Sequence, residues 1–409
     1  MDVKLHKSVL KSGEVIKVPG SKSETNRLLI LKAQFPEIYL INPSNSDDSV
    51  SMDAALKSHE NRINIGHAGT TMRFLTAWFA SQENRTVILD GSKRMRERPI
   101  GILVDALRQL GAKIEYLENE SFPPIKISGT KISETNVVLD ADISSQYISA
   151  LLLISPTLAN GIQIELRGQI TSRPYIEMTL ALLSDVGMPT SFAGNRISVG
   201  RRPTSSKEVE FEIESDWSSA SYYYSIIALS PLGTHISLQS FKTNSRQGDR
   251  VLESVYRKFG VTTTFGRNSI ELTKSELHDD FCEFDLTGSP DIAQTVAVTC
   301  VGLGADCNLT GLHTLKIKET DRLIALQNEL TKFGATVSVS DDSLSVKSPA
   351  DLKHNVVVET YGDHRMAMAF APLALKVPLQ VRDSAVVSKS YRSYWEHLSQ
   401  IGFKLETLA

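Results

Sequence analysis

Apolar positions recur at helical spacing in five segments of the chain, and each segment ends at a glycine. The segments are Pro99 to Leu110, Pro174 to Val186, Asp249 to Phe259, Asp321 to Phe333, and Tyr391 to Ile401. The following glycine is typical of a helix C-cap, because a residue without a Cβ adopts the left-handed conformation at little cost. These glycines lie at 111, 187, 260, 334 and 402, at intervals of 68 to 76 residues. So regular a spacing predicts an internal repeat.

A second class of predicted helix is apolar on nearly all sides, which is typical of helices buried in a core. Its six members begin near Ser21, Gly69, Ser144, Ser218, Asp291 and Asp363. Alternating apolar segments between them, such as Ile162 to Leu166, predict strands. Each unit is therefore expected to contain one amphipathic helix, one buried helix and a few strands. One unit is irregular, since only 19 residues separate Asp48 from His67, and about one strand-turn-strand piece is expected to be missing there.

Six such units predict an α/β fold of two domains, each built from three repeated helix-plus-sheet units around buried helices. The repeat count halves between Glu212 and Ser215, and the N-terminal strand has no unit of its own. We therefore expect one discontinuous domain of residues 1–20 and 214–409, and a second domain of residues 21–213.

Composition limits the classes of function. The 409 residues include 44 Lys and Arg against 47 Asp and Glu, a formal charge of -3, so there is no global basic field for nucleic acid. The three cysteines, Cys282, Cys300 and Cys307, lack paired metal-binding spacing and predict reduced thiols. The N-terminus has no signal-peptide pattern, and no apolar run reaches the roughly 18 residues of a membrane span. We therefore expect a cytoplasmic protein.

Polar and cationic residues concentrate in the first turns of the buried helices. The first of them opens with a capping box from Ser21 to Glu24, and Lys22 and Arg27 lie in its first turns. Cations are disfavoured at a helix N-terminus, so their recurrence favours a site for phosphate or carboxylate over simple capping. We expect the six N-termini to converge on one cleft between the domains. A Walker A loop is excluded, because Ser21 separates Gly20 from Lys22.

Two further stretches are rich in charge. Lys93 to Pro99 is either a solvated loop or part of an anion site. Lys316 to Arg322 precedes an amphipathic helix, and its alternation predicts that Lys316 and Lys318 share one face. Glu319 lies among these cations and is either a salt-bridge organiser or a proton-transfer group. Spacing alone does not distinguish these two roles.

Eight short motifs follow one another along the chain. They are Pro-Gly-Ser-Lys-Ser-x-x-Asn-Arg at 19–27, Ala-Gly-Thr-x-Met-Arg at 68–73, Arg-Met-x-Glu-Arg-Pro-Ile-Gly at 94–101, Ser-Ser-Gln at 144–146, Pro-Tyr at 174–175, Asp-x-Ser-Ser-Ala-Ser-Tyr at 216–222, Lys-Glu-Thr-Asp-Arg at 318–322, and Asp-His-Arg-Met-Ala-Met at 363–368. Together they resemble the 5-enolpyruvylshikimate 3-phosphate (EPSP) synthase family over essentially the whole chain. The resemblance implies the enolpyruvyl transferase fold, with the active site in the interdomain cleft, and a step of aromatic amino acid biosynthesis. It implies transfer of the enolpyruvyl group from phosphoenolpyruvate to the 5-hydroxyl of shikimate 3-phosphate, with release of phosphate, through a tetrahedral intermediate.

The resemblance also implies the residues that hold the two anionic substrates. Shikimate 3-phosphate would be held by Ser23, Arg27, Ser144, Ser145, Gln146, Ser172, Tyr175, Asp291 and Lys318. Phosphoenolpyruvate would be held by Lys22, Gly69, Arg98, Gln146, Arg322, His364, Arg365 and Lys389. The catalytic residues would be Asp291 near the attacking hydroxyl, and Glu319 with Lys22 for protons at C3 of phosphoenolpyruvate. No metal and no organic cofactor is implied, and we expect a monomer without nucleic-acid or membrane partners.

Three alternative functions would make different demands on the sequence. The sister transferase that acts on UDP-N-acetylglucosamine shares the six-unit plan, but it uses a Cys in the domain of residues 21–213, and this chain has no Cys before Cys282. An RNA 3'-phosphate cyclase would need a basic surface. A catalytically impaired anion-binding relative would not need Asp291 and Glu319 among its cations.

The chain departs from the family pattern at a few positions. His67, Phe74 and Thr314 stand where Asn, Pro and Asn are frequent, and Lys316 replaces a frequent Arg. These changes leave the reaction class intact and bear on affinity. They also bear on inhibition by glyphosate, which the resemblance implies because Gly69 leaves room for that inhibitor.

Overall fold

The glycine after each amphipathic segment has a left-handed backbone in the computed structural model of the chain. The φ angles of Gly111, Gly187, Gly260, Gly334 and Gly402 are 95°, 84°, 71°, 103° and 105°. The structure describes residues 1–141, 144–201 and 208–408. Each helix ends two or three residues before its glycine, so the predicted C-caps are confirmed.

The described residues contain twelve α-helices. They are α1 Lys22–Gln34, α2 Asp47–Lys57, α3 Gly69–Ala80, α4 Gly101–Gln109, α5 Ser145–Ile154, α6 Arg173–Asp185, α7 Trp217–Ala228, α8 Leu252–Arg257, α9 Ala293–Leu303, α10 Arg322–Lys332, α11 His364–Phe370 and α12 Tyr394–Gln400. The six predicted buried helices are α1, α3, α5, α7, α9 and α11. The segment predicted as one amphipathic helix from Asp249 is split, since the 3-10 turn Gly248–Val251 precedes α8.

The strands are short, as the repeat predicts. They are β1 Asp2–Leu5, β2 Val15–Ile16, β3 Ile38–Ile41, β4 Arg62–Asn64, β5 Thr86–Asp90, β6 Lys113–Tyr116, β7 Ile125–Ser128, β8 Asn136–Asp140, β9 Ile162–Arg167, β10 Thr190–Ala193, β11 Arg196–Val199, β12 Val209–Glu212, β13 His235–Gln239, β14 Val261–Gly266, β15 Ser269–Lys274, β16 Phe281–Asp285, β17 Asp306–Thr310, β18 Thr336–Val339, β19 Leu344–Lys347, β20 Val356–Val358, β21 Leu379–Val381 and β22 Leu405–Leu408.

Five four-stranded sheets repeat one pairing scheme. In the sheet ordered β4-β5-β7-β6, the pair β4 and β5 is parallel and the other two pairs are antiparallel. The same signs recur in β8-β9-β11-β10, β2-β13-β15-β14, β16-β17-β19-β18 and β20-β21-β1-β22. Among the described residues, the sixth sheet consists of β3 and β12 alone. The predicted loss of one strand-turn-strand piece therefore falls in this unit, where α2 leads directly to β4.

A buried helix connects the two parallel strands in four of these sheets. The connection runs through α3, α5, α9 and α11, which gives the usual β-α-β crossover. At the remaining two buried helices, the preceding strand does not pair with the strand that follows the helix. β2 precedes α1 but pairs with β13, whereas β12 precedes α7 but pairs with β3. These exchanges mark the two places where the chain passes from one set of three units to the other.

The chain forms two compact units. The discontinuous unit comprises Met1–Gly20 and Glu214–Ala409, and the continuous unit is Ser21–Ile213. Each has its own apolar core. In the discontinuous unit α7, α9 and α11 pack on one another, and in the continuous unit α1, α3 and α5 do so. The predicted domain ranges also run through residues 142–143, 202–207 and 409, which lie outside the described residues.

Cys282, Cys300 and Cys307 are buried and free, as expected of reduced thiols. In the part of the chain that the structure describes, no helix combines the length and the apolar character needed to cross a membrane.

Candidate active site

The buried guanidinium of Arg322 joins three carboxylates in the discontinuous unit. Its Nε donates to Oδ2 of Asp363 at 2.6 Å, and its Nη1 donates to Oδ1 of Asp291 at 2.9 Å. Its Nη2 donates to Oε2 of Glu319, also at 2.9 Å. Since the side chain is only 2% exposed, the three acids must compensate its charge where water cannot. Arg322 therefore fixes the relative positions of Asp291 and Glu319.

Asp291 is surrounded by three cations from two segments of the chain, residues 318–322 and the start of α11. It follows Pro290 in the 3-10 turn before α9. Its Oδ1 lies 3.2 Å from Nζ of Lys318, and its Oδ2 accepts from Nη2 of Arg365 at 3.2 Å. Burial alone would raise the pKa of Asp291, but Lys318, Arg365 and Arg322 hold this pKa well below its ordinary value. Asp291 is thus a carboxylate at neutral pH.

Glu319 is held between two cations. Besides Arg322, the Nζ of Lys389 donates to its Oε1 at 2.9 Å. Both Lys389 and Glu319 are nearly buried, with side-chain exposures of 8% and 13%. Lys389 is the last residue of a 3-10 turn, Ser384–Lys389, that packs against α11. Glu319 therefore is a salt-bridge organiser, and its role in proton transfer stays a prediction.

The start of α11 supplies the remaining polar groups of this cluster. Asp363 is the N-cap, and its Oδ1 accepts from the backbone N–H of Arg365 at 2.8 Å. The same carboxylate binds Arg322, so one residue both caps α11 and anchors the central guanidinium. His364 lies beside it, with Nδ1 3.6 Å from Oδ1 of Asp363. All seven predicted site residues of the discontinuous unit are thereby brought together: Asp291, Lys318, Glu319, Arg322, His364, Arg365 and Lys389.

In the continuous unit, Arg27 is bound almost entirely by protein. Its Nε donates to Thr179 at 2.7 Å and its Nη1 to the Ser23 carbonyl at 2.7 Å. Its Nη2 donates to Ser149 at 3.1 Å and to the Tyr175 carbonyl at 3.2 Å. Burial lowers the pKa of Arg27 to about 10. Arg27 thus joins α1 to α5 and α6, and it brings Ser23 and Tyr175, two predicted substrate ligands, to one place.

Lys22 has a carboxylate partner from the segment that follows β3. Its Nζ lies 3.5 Å from Oδ2 of Asp48, in the first turn of α2. Asn26 lies one turn further along α1, and its Oδ1 accepts from the Ser49 hydroxyl at 2.8 Å. Asn26 is buried and links two helices, so of these two residues only Lys22 is a candidate for binding substrate.

Gly69 and Arg98 lie in direct contact. A Cβ on Gly69 would be 2.5 Å from Nη1 and 2.8 Å from Nη2 of Arg98. The guanidinium therefore occupies space that only glycine leaves open at the start of α3. This contact brings together two residues that the resemblance assigns to phosphoenolpyruvate.

Arg73 binds backbone on both sides of this contact. Its Nη1 donates to the Gly69 carbonyl at 3.0 Å and its Nη2 to the Pro99 carbonyl at 3.3 Å. Tyr147 also donates to the Pro99 carbonyl, at 2.7 Å. Arg73 thereby binds two backbone carbonyls that flank the contact between Gly69 and Arg98.

The remaining predicted ligands of the continuous unit lie at the starts of α5 and α6. The hydroxyl of Ser144 caps α5, and Ser145 and Gln146 begin that helix. The amide of Gln146 donates to Thr70 at 3.3 Å and so connects α5 to the first turn of α3. Ser172 precedes α6 with φ of 52°, a left-handed conformation that is uncommon for serine. Such strain at a predicted ligand is typical of functional sites.

The expected face shared by Lys316 and Lys318 is not formed. Residues His313–Ile317 form a 3-10 turn instead of an extended strand. Lys316 pairs with exposed Asp341, whereas Lys318 pairs with Asp291. The prediction of alternation is wrong because a 3-10 turn places residues two apart on different sides.

Sequence reasoning missed several acids that bind cations or hydroxyls in the structure. Asp48, Asp249 and Asp90 were given no role in the site, and Asp363 was noted only as a polar helix start. Burial raises the pKa of Asp249 to about 6, and its Oδ2 accepts a hydrogen bond from Ser218. The sequence offered one signal for such acids, a hydroxyl or carboxylate that marks a helix start. Ser46 before α2 is an example, because Asp48 lies in the first turn of that helix. Within residues 1–141, 144–201 and 208–408, no group of three His, Cys, Asp or Glu is arranged to hold a metal ion.

The chain is similar to known proteins over most of its length. The family model described as EPSP synthase (3-phosphoshikimate 1-carboxyvinyltransferase) matches residues 41–398. A 3-phosphoshikimate 1-carboxyvinyltransferase of Bacteroides fragilis is 43% identical over 395 residues, which cover 96% of each chain. Its counterpart in Salmonella arizonae is 35% identical over an alignment of 417 residues, gaps included. The alignment covers 94% of this chain and 96% of that protein.

Solved structures share the fold at lower identity. An EPSP synthase from Acinetobacter baumannii has a TM-score of 0.78 at 19% identity, with coverage of 99% of this chain and 100% of that one. The enolpyruvyl transferase NikO from Streptomyces tendae has a TM-score of 0.74 at 15% identity, with coverage of 100% and 99%. The structural likeness establishes the enolpyruvyl transferase fold. The sequence likeness shows that the chain belongs to the EPSP synthase family.

Proposed function

We propose that this protein transfers the enolpyruvyl group of phosphoenolpyruvate to the 5-hydroxyl of shikimate 3-phosphate and releases phosphate. Membership of the EPSP synthase family supports the reaction. The observation that carries the proposal is the buried cluster in which Arg322 holds Asp291 and Glu319 among Lys318, Arg365 and Lys389. Such a cluster offers both anion binding and proton transfer, and an anion-binding protein would need only the first.

The cations of the cluster suit anionic substrates. The ammonium of Lys389 has three N–H donors and gives one to Glu319, so a substrate oxygen can bind without breaking that pair. Forked guanidinium groups bind carboxylate and phosphate through two parallel hydrogen bonds. In the continuous unit, Arg98 against Gly69 is the corresponding guanidinium, and Lys22 is the corresponding ammonium.

The proposed reaction has two steps that balance. In the addition, the 5-hydroxyl oxygen bonds to C2 of phosphoenolpyruvate, the hydroxyl proton passes to a base, and C3 gains a proton to become a methyl group. In the elimination, the bond from C2 to the phosphate oxygen breaks, and the methyl group loses a proton. Phosphate leaves with the charge that the cations stabilise. These steps consume no redox equivalent.

The two acids of the cluster suit different steps. Asp291 is ionised, so it orients the hydroxyl by accepting its hydrogen bond. It accepts the proton as the new C–O bond forms, because the hydroxyl becomes more acidic at that point. Glu319 is assigned to proton transfer at C3, with Lys22 of the continuous unit as the second candidate for that step. Arg322 touches both acids and therefore sets the distance between the two proton-transfer groups.

The test is phosphate release by purified protein supplied with both substrates. Each substrate is omitted in turn, and UDP-N-acetylglucosamine replaces shikimate 3-phosphate in a parallel reaction. Phosphate release that requires both phosphoenolpyruvate and shikimate 3-phosphate, and does not occur with the UDP sugar, supports the proposal. Release with the UDP sugar would assign the chain to the sister reaction, and binding without release would leave an impaired relative. A monomeric, cytoplasmic enzyme stays a prediction from the sequence.

A further inference from the structure

Arg98 lies on a short loop that is tied down at both ends. The loop follows β5 and runs from Gly91 to Pro99. At its start, the backbone N–H of Ser92 donates to the Gly66 carbonyl at 2.9 Å, and its hydroxyl lies 2.9 Å from Nδ1 of His67. At its end, the Pro99 carbonyl is bound by Arg73 and Tyr147, as described above. The first anchor connects the loop to the residues just before α3, and the second connects it to α3 and α5.

An ion pair anchors the middle of the loop. Arg96 forms a two-pronged pair with Asp90, the last residue of β5: Nε to Oδ1 is 2.9 Å and Nη2 to Oδ2 is 2.7 Å. The Asp90 carboxylate is only 4% exposed and also accepts from the Gly91 N–H at 2.8 Å. Burial favours the neutral acid, but the bonds from Arg96, Gly91 and Arg62 hold the pKa of Asp90 below its ordinary value. The pair is therefore ionic at neutral pH.

The cations of this loop are not equivalent. Arg94 pairs with Glu97 at 3.2 Å, and the remaining prong of Arg96 pairs with Glu118 at 2.8 Å. With two carboxylates on its guanidinium, Arg96 is poorly suited to bind an anionic substrate. Arg98, two residues later, is the one that contacts Gly69. Arg94 and Arg96 thus bind carboxylates of the protein, and Arg98 is the arginine of this stretch that stays a candidate for the anion site.

We propose that Asp90 and Arg96 are positioning residues that hold Arg98 against Gly69 for binding of phosphoenolpyruvate. The proposal rests on the proposed function, because it takes Arg98 as a ligand of that substrate. The pair closes the loop from the end of β5 across to Arg96, so Arg98 has little freedom to leave the start of α3. A guanidinium misplaced by about 1 Å can cost roughly 10²-fold in a reaction that depends on its position.

The first variant is Arg96→Gln, since its side chain is partly exposed and its replacement creates no core cavity. We expect the KM for phosphoenolpyruvate to rise about tenfold, while kcat and the KM for shikimate 3-phosphate change less than about twofold. Arg96→Lys keeps one prong and should recover part of the loss. In the double variant Asp90→Asn with Arg96→Gln, the two effects should not add, because both remove the same pair.

Arg62→Gln is the matched control. Arg62 binds the same carboxylate, with Nη2 3.0 Å from Oδ2 of Asp90, but it lies on β4 and not on the loop. It should leave the KM for phosphoenolpyruvate unchanged. An equal rise in the control would show that any loss around Asp90 has this effect, and would overturn the positioning role.

A readout without turnover separates this inference from the proposed function. Amide hydrogen exchange of residues 91–99 should become faster in Arg96→Gln and stay unchanged in Arg62→Gln. If the wild-type protein releases no phosphate, the proposed function fails, and the exchange still decides whether the pair orders the loop. An unchanged exchange rate, or an unchanged KM for phosphoenolpyruvate in an active Arg96→Gln variant, would overturn the proposal.

Discussion

Nη1 of Arg322 lies 2.9 Å from Oδ1 of Asp291, and Nη2 of the same guanidinium lies 2.9 Å from Oε2 of Glu319. One fully buried cation therefore sets the spacing of the two acids to which proton transfer is assigned. The third carboxylate, Asp363, fixes the guanidinium itself through Nε at 2.6 Å.

Arg322→Lys should impair both stability and turnover. A lysine keeps the charge but cannot reach three carboxylates, so at least one of the acids loses the hydrogen bond that Arg322 donates to it. Breaking a buried ion pair costs about 3–5 kcal/mol, and kcat should fall by at least about 10²-fold. Chemical unfolding and steady-state kinetics measure the two effects. Arg382→Gln is the control, since Arg382 pairs with Glu359 at the surface and should change neither quantity.

Glu319→Gln tests whether Glu319 transfers a proton, which its ion pairs with Arg322 and Lys389 do not decide. If Glu319 transfers a proton at C3, kcat should fall by about 10² to 10⁴-fold, while binding of both substrates persists. Glu359→Gln, which neutralises a partly exposed acid of the same unit, should have normal turnover. Near-normal turnover in Glu319→Gln would leave only the salt-bridge role.

Gly69→Ala should act on one substrate. The new Cβ would lie 2.5 Å from Nη1 of Arg98, so the guanidinium must move. We expect the KM for phosphoenolpyruvate to rise about tenfold, and the KM for shikimate 3-phosphate serves as the internal control. Equal changes in both constants would argue against a role of this contact in binding phosphoenolpyruvate.

Asp249 should make stability fall as pH rises. Burial raises its pKa from 3.8 to about 6, so in that window the folded state holds a proton that the unfolded state has lost. Its contribution is full below the unfolded pKa and is lost as pH rises through about 6. The lost stability is roughly 3 kcal/mol, at about 1.4 kcal/mol per pKa unit.

Asp249→Asn removes this pH dependence. Urea unfolding of wild type and variant at about pH 4.5 and about pH 7.5 should show the variant gaining stability relative to wild type at the higher pH. Asp285→Asn is the control of opposite sign, because the Thr287 hydroxyl lowers the pKa of Asp285 and stabilises the folded state at high pH. The same difference between wild type and Asp249→Asn at both pH values would contradict the account.

Local patterns were sufficient for the repeat but not for every contact of the site. The glycines at 111 and 334 and the buried helices were predictable because period and burial are properties of short segments. The partner of Arg322 at Asp363 lies 41 residues away, and no local pattern connects the two. The sequence also cannot show whether a cation such as Arg73 faces a ligand or a backbone carbonyl. Only the fold decides that.

The measurement that tests the central claim most directly is the reaction in deuterium oxide with both substrates. Addition followed by elimination makes C3 of phosphoenolpyruvate a methyl group for part of each turnover, so deuterium should enter the methylene group of the product. It should also enter the phosphoenolpyruvate that is returned by reversal, and mass spectrometry of both molecules measures it. Phosphoenolpyruvate incubated alone should gain none. Product that forms without deuterium at C3 would contradict the tetrahedral intermediate and the proton-transfer role of Glu319 at C3.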